Sequence, residues 1–466
     1  METFKINGLD YECEFKLKNA DGLEVEFTKS AIRGMTLVDN FFEPFESGTI
    51  SIANPYDFIE NDKFFLRGDG RDRIRIYFKL KTDPDERKYD NTFAIIDESN
   101  HGNPVTRSSN IKTFKLVDEK AIPFMEQIPY NKKYEGKVGD LIKELFVELL
   151  GGSYVNSGKW ESGDFTLTYI PPVNWRYLDL LYHFLRIFYM KSGDIHTKAF
   201  INYDHITKQF SFTSLTKIFQ DNQKPENLLD AFALGDLSYG GADTNNPNNP
   251  PTGGEVNRNK PDPTSNISYS TPFYSVTNEF FVSRLVHGYD PISGEQKIKK
   301  VDIYKLKPKW KTQFVDVFRS LGGEVLPFLV LNESNKKKFV HFRLPYPIED
   351  SVKLVEAEMT SALVFYNLQS TFSNIGDSKR TSGKFMDIYS TRGAEIFRSD
   401  EKLLGRWFVS ELRHVFVGDL YQNQMMCCKT YVGPTATKSK NILKLNLERN
   451  KELDTRKQNL YSDTVI

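Results

Sequence analysis

The chain has 466 residues, enough for about three domains at roughly 150 residues each. Its 62 Lys and Arg match 62 Asp and Glu, which argues against a general polyanion binder, a class that needs a net basic surface. With 36 Phe and 23 Tyr, aromatics reach 14%, a load that favours strands and broad contact surfaces.

The first 118 residues read as short strands. Glu12 to Lys18 alternates, Leu23 to Phe27 repeats the pattern, and Ile32 to Val38 follows. Gly48 to Ala53, Ile74 to Leu80, Thr92 to Ile96 and Ile111 to Val117 supply the rest. Turn residues separate them, so the spacing predicts an antiparallel sheet closed into a small barrel or sandwich. From 119 to 239 the period becomes helical. Val138, Leu141, Ile142, Leu145, Phe146 and Leu149 share one face, and Gly151-Gly152 stops the helix. A second helix follows Pro171-Pro172, with Asn174 as its predicted N-cap and Leu178, Leu181, Tyr182, Leu185, Phe188 and Tyr189 on one side. Strands return at Ala199 to Tyr203 and Gln209 to Phe212, so this block is α+β.

Residues 240–272 are rich in Asn, Pro and Gly and read as a long loop, either a plain surface excursion or a segment that orders against a partner. Residues 273–350 continue the α+β block, with strands near Phe280 to His287 and Ile298 to Tyr304 and a helical piece at Gln313 to Leu321. Residues 351–434 hold a helix and a last strand block. Asp350 or Ser351 caps the helix, whose stripe is Val352, Val355, Met359, Leu363 and Tyr366. Phe408 to Val417, the turn Gly418-Asp419 and Gln422 to Val432 form the clearest hairpin. The charged tail 435–466 is expected to fold on a partner.

Three cysteines, Cys13, Cys427 and Cys428, cannot build a disulfide framework and suggest a reducing compartment at synthesis. Adjacent in one strand, Cys427 and Cys428 are expected to face opposite ways, one in the core and one half-exposed. The opening residues do not form a signal peptide, and no apolar run reaches the length of a membrane span. The expectation is a soluble chain made in a cytoplasm, without membrane insertion.

The motif search nominates no catalytic, cofactor-binding or metal residue. The seven histidines, His101, His183, His196, His205, His287, His341 and His414, form no HExxH and no zinc-finger spacing. His196 beside Asp194, and His205 beside Asp204, could hold a metal or pass a proton; strand-edge polarity is the simpler reading. Arg67 to Asp72 resembles an adhesion tripeptide or a calcium loop but lacks the calcium loop's alternating acids and closing Glu, and Asp69-Gly70 reads as a hairpin turn. No phosphate-binding Gly loop, dinucleotide fingerprint or nucleophile elbow is present. A glycosidase carboxylate pair would leave no mark in a single sequence.

In order, these blocks resemble the baseplate central hub subunit of contractile-tailed (T-even-like) bacteriophages. The opening match is Met35-Thr-Leu-Val-Asp-Asn, Glu46-Ser-Gly48-Thr-Ile-Ser-Ile and Arg73-Ile-Arg-Ile-Tyr-Phe. Phe114-Lys-Leu-Val-Asp-Glu, Met125-Glu126 to Tyr134 and the helix from Val138 follow. Tyr169-Ile-Pro-Pro-Val-Asn-Trp175 precedes the second helix. Late in the chain stand Lys384-Phe-Met-Asp-Ile-Tyr and Phe408-Val-Ser-Glu-Leu-Arg-His-Val. The resemblance implies an α+β, strand-rich fold: two small antiparallel β-barrels of the hub and late-control type, at 1–118 and 351–434, with an α+β insertion between them. It implies a homotrimeric ring in the virion tail baseplate, assembled in the host cytoplasm, joining the central spike to the tail tube or its initiator. Wedge proteins would be further neighbours, and the lumen would pass the tape measure protein and DNA in transit. It implies no enzyme activity and no cofactor. The loop 240–272 and the tail 435–466 have no counterpart in that pattern. A spike or other baseplate subunit with the same barrel, and a carbohydrate-active β-scaffold protein, are the alternative readings.

Overall fold

A computed structural model describes residues 2–6, 9–53, 66, 70–81, 88–101, 111–205, 207–220, 228–234, 268–270, 283–290, 293–302, 306, 324–325, 339–365, 368–378, 380–390, 405–429 and 431–432. The expected helix at Gln313 to Leu321 and the tail 435–466 lie outside these residues, as does most of 240–272.

Eight strands come first: β1 Glu2–Ile6, β2 Leu9–Lys18, β3 Glu24–Phe27, β4 Ile32–Asn40, β5 Ser47–Ala53, β6 Arg73–Leu80, β7 Lys88–His101 and β8 Ile111–Asp118. Their alternation buries one face: Ile74, Ile76 and Phe78 of β6 and Phe114 and Leu116 of β8 are all inside. Seven of them pair in the order β1-β2-β6-β7-β8-β5-β4, and β3 pairs with β2.

The middle of the chain gives β9 Tyr134–Lys137, α1 Val138–Leu150, β10 Val155–Trp160, β11 Thr166–Tyr169 and α2 Tyr177–Ile187. After them come β12 Met190–Ser192, β13 Ile195–Thr197, β14 Ala199–Asp204, β15 Gln209–Ser214 and α3 Leu215–Gln220. Both predicted helices are present. Asn174 does not cap the second, however; it sits in the left-handed region at φ 71°. The cap is two residues later, where the Arg176 N–H donates to Asp179 Oδ2 at 3.0 Å, the returning half of a capping box. Helices α1 and α2 and strands β14 and β15 enclose an aromatic core containing Phe146, Phe184, Phe188, Phe210 and Phe212.

The remaining elements are β16 Leu228–Leu234, β17 Ser268–Ser270, β18 Ser283–Tyr289, β19 Gln296–Val301, β20 Glu324–Val325, β21 Phe339–Leu344 and α4 Ile348–Phe365. The chain then adds β22 Leu368–Ile375, β23 Phe385–Ser390, β24 Gly405–Val417, β25 Leu420–Lys429 and β26 Tyr431–Val432. The one described stretch of the Asn/Pro-rich region, β17, pairs with β22. Helix α4 starts three residues before the expected caps. Pro347 needs no N–H at a helix start, and Ser351 instead turns its hydroxyl back to the Tyr346 carbonyl at 3.0 Å. The helix is also buried more fully than one stripe allows. Val355, Met359 and Leu363 enter a core with Phe41, Phe365 and Phe408, while Leu354 and Ala357 enter the α1–α2 core. It lies between two cores, so two faces must be apolar.

The first and last blocks share a sheet. β4 pairs antiparallel with β24, Thr36 opposite Val415, and the ladder continues through β25 to β22 and β17. This large sheet curls: Tyr11 of β2 meets the Tyr421 ring of β25 edge-on at 5.7 Å, and its hydroxyl donates to the Gly376 carbonyl at 3.1 Å. Phe416 and Tyr421 of the late hairpin thus complete the core begun by β2 and β6. The hairpin turns at Gly418, φ 57°, the left-handed first position of a two-residue loop that suits glycine.

Cys427 and Cys428 do point to opposite faces, yet both are 2% exposed. Near its start β24 is covered on both sides. Phe408 and Cys428 face α4, while Trp407, Val409 and Cys427 are buried opposite, with the Lys429 ammonium 4.6 Å from the Trp407 ring. Past the bulge at Ser410 burial becomes one-sided, with Leu412, His414 and Phe416 inside.

Candidate functional site

Residues Asp39 to Glu46, the end of β4 and its link to β5, join several elements of the fold. The Phe41 N–H donates to the Ser410 carbonyl at 2.9 Å, and its ring lies 4.7 Å from Phe200 and 4.8 Å from Phe408. Phe45 enters the α1–α2 core against Phe124, Phe146 and Phe210. The Tyr182 hydroxyl of α2 donates to Glu43. Two apolar cores therefore meet on this segment, through Phe41 and Phe45.

Both ends of this segment are polar. Asp39 accepts from the Ser382 N–H at 2.6 Å and from its hydroxyl at 2.7 Å. Glu46 accepts from the Tyr89 hydroxyl at 2.7 Å and Asn91 Nδ2 at 2.8 Å, both on Oε2, while Oε1 faces His205 Nε2 at 2.9 Å. Asn91 is fixed in turn by Asp118 and Lys120, and Lys120 binds both Asp118 oxygens at 2.9 and 3.1 Å. Burial, then the Glu46 charge, push the Asp39 carboxyl up to about 6. Burial alone would raise Glu46 as well, but the His205 charge and the hydrogen bonds from His205, Tyr89 and Asn91 outweigh it and hold Glu46 at about 2. His205 is raised despite its burial, because Glu46 and Asp39 favour its cation. One ligand atom from each of Asp39, Glu46 and His205 lies within 4.8 Å of the others.

A second polar centre lies inside the curled sheet. Asn423 Oδ1 accepts from the Asp377 N–H at 2.7 Å and from Arg380 at 2.9 Å, so its amide nitrogen must point to His414 Nδ1, 3.0 Å away. The Tyr421 hydroxyl also reaches that nitrogen, at 2.8 Å. With two donors aimed at Nδ1, the imidazole is neutral with its proton on Nε2. Burial pushes its pKa down to about 4.

An apolar cleft of about 340 Å³ opens beside the Asp39–Glu46 segment, walled by Phe41, Phe42, Tyr182, Phe200 and Phe365. At its rim the Lys198 ammonium donates to the Arg186 carbonyl. Burial lowers the Lys198 pKa to about 8, partly offset by Glu358.

The sequence-level pairs are re-partnered. His205 binds Glu46 rather than the adjacent Asp204, and His196 Nδ1 meets Glu356 of α4 at 2.8 Å rather than Asp194. His183 stacks on Tyr169 at 4.7 Å, and His287 is half-buried in β18. The side chains of His101 and His341 lie outside the described residues. In the Arg67 to Asp72 stretch, Asp72 accepts from the Ala20 N–H at 2.9 Å, a structural contact. Asp39 and Glu46 carry no motif signal, and the sequence pairs His205 with Asp204, because no spacing rule links positions so far apart.

The described residues thus define a curled, mainly antiparallel sheet whose first and last strand blocks flank an α+β unit. No protein-family model matches the chain, and no curated protein matches it in sequence. Solved structures align with the chain, the first of them closely enough to show a likeness of fold. A tail protein from Neisseria meningitidis MC58 aligns at TM-score 0.50 and 9% identity over 90% of this chain and 96% of that one. The 43 kDa tail protein of prophage MuSo2 from Shewanella oneidensis aligns at 0.47 and 9% over 90% and 98%. Prophage tail protein gp18 from Listeria monocytogenes EGD-e aligns at 0.44 and 8% over 89% and 94%. At these identities the likeness is one of fold, and we rest it on the first. No helix among the described residues is long and apolar enough to cross a membrane.

Proposed function

We propose that this chain is a structural subunit of a phage-type tail baseplate, the central hub, and not an enzyme. The observation that carries the reading is the curled sheet built from both strand blocks, with an α+β unit between them in the chain, together with the tail-protein likeness over nine-tenths of the chain. In this reading 1–118 and 351–434 supply two small barrels joined edge to edge through β4 and β24. Three chains close into a ring between the central spike and the tail tube, in the virion, with a lumen for the tape measure protein and DNA in transit. A closed ring suits such an adapter, since cyclic symmetry leaves no free interface. The experiment is light scattering on the chain alone and after co-expression with the spike protein of its own virion. A trimer in either sample is the expected result. A monomer in both, or glycan cleavage by the pure chain, overturns the proposal.

A further inference from the structure

We propose that Asp39, Glu46 and His205 form a binding site for one divalent transition-metal ion, zinc above all, pinning together three segments of the fold. The inference stands apart from the baseplate reading. The donors come from the end of β4, the residue before β5 and the turn between β14 and β15, and their ligand atoms all lie within 4.8 Å of one another. A tetrahedral zinc site with bonds near 2.1 Å spaces its ligand atoms about 3.4 Å apart. Glu46 Oε1 and His205 Nε2, at 2.9 Å, already stand closer than that. Shifts of about an ångström therefore convert the cluster into a coordination shell.

The surroundings have the form of an outer shell. Metal-bound carboxylates are themselves held by hydrogen bonds that aim their free lone pairs. Here Ser382 grips Asp39, and Tyr89 and Asn91 grip one oxygen of Glu46 and leave the other turned to His205. Asn91 is locked by Lys120 and Asp118. A void of about 10 Å³, bordered by all three donors and by Ser382, Asn202 and Asp118, adjoins the cluster; that is about the room of one water, suited to a fourth ligand. Asp39 and His205 are only half-buried, which leaves an ion a way in.

Charge favours the same occupant. Two carboxylates and one imidazole together form a donor set whose charge a divalent ion offsets. One imidazole and two carboxylates are a borderline donor set, suited to zinc, manganese or ferrous iron. They lack the thiolates that select copper(I) and the six or more oxygens that calcium takes.

The test uses the full chain, purified without a histidine tag, stripped with a chelator and dialysed against ZnCl₂. We expect one zinc per chain by elemental analysis and a higher melting temperature. CoCl₂ in place of zinc should give the visible absorption of four-coordinate cobalt with nitrogen and oxygen ligands. Glu46→Gln, which keeps the side-chain shape, and His205→Ala should each weaken binding at least tenfold. A folded wild-type chain that takes up no stoichiometric zinc or cobalt overturns the proposal, and this measurement needs no variant. Equal binding by folded Glu46→Gln and wild type also overturns it.

Discussion

His414 should make the closed end of the curled sheet sensitive to acid. Its Nδ1 accepts from Tyr421 and Asn423, and the Asn423 amide cannot flip without turning its nitrogen toward Arg380 and the Asp377 N–H. Protonation at Nδ1 would set a donor against two donors, and the buried site cannot hydrate the charge. With a folded pKa near 4 against 6.5 when exposed, the unfolded chain binds the proton first as pH falls. Stability is therefore intact above about pH 6.5 and is lost as pH drops toward 4, by about 3 kcal/mol in all. His414→Asn places an amide oxygen near the Nδ1 position and cannot titrate. We expect urea unfolding at pH 7.5 and 4.5 to show a loss for wild type that exceeds the loss for His414→Asn by about 2 to 3 kcal/mol. Groups common to both proteins cancel in this difference. Equal losses, or an NMR titration of His414 near its exposed value, would refute the reasoning.

Gly376→Ala should destabilise by about 1 to 3 kcal/mol, because a Cβ there would stand 2.2 Å from the Tyr421 ring, itself stacked on Phe416 at 4.1 Å; a change below about 0.5 kcal/mol in urea would show that the ring can move. Phe41→Ala should cost about 3 to 5 kcal/mol and loosen the core it shares with Phe200 of β14 and Phe408 of β24, so hydrogen exchange should speed up in both strands; exchange confined to one of them would contradict its place between them. Lys198, at a pKa near 8, is about one-quarter neutral at pH 7.5, against about a thousandth for an ordinary lysine. Limited acylation followed by peptide mapping should find it labelled before the exposed Lys133 at pH 7.5, and a lead for Lys133 would count against the lowered pKa.

Local order was readable wherever one face is buried. The alternation in β4, β6 and β8 and the helical period of α1 each record a single neighbouring core. Misreadings arose where two surfaces act on one element. Helix α4 carries apolar residues for two cores, so one stripe recorded only part of its buried surface, and the half-exposure expected for one of Cys427 and Cys428 is absent because β24 and β25 are covered on both faces there. The β4–β24 ladder leaves no trace in either strand alone, since each merely alternates. The cluster of Asp39, Glu46 and His205 is hidden for a related reason: a carboxylate before a strand looks the same whether it meets solvent or an imidazole from the far side of the chain.

The β4–β24 pairing also sets an order on synthesis. Asn40 and Glu411, hydrogen-bonded at its end, are 371 residues apart. At about 5 to 20 residues per second, the ribosome needs about 20 to 75 s to deliver the second strand after the first. Through that interval β4 has β5 on one side and an open edge on the other, the kind of edge that recruits foreign strands. The nascent chain is thus exposed to mispairing until its last strand block emerges.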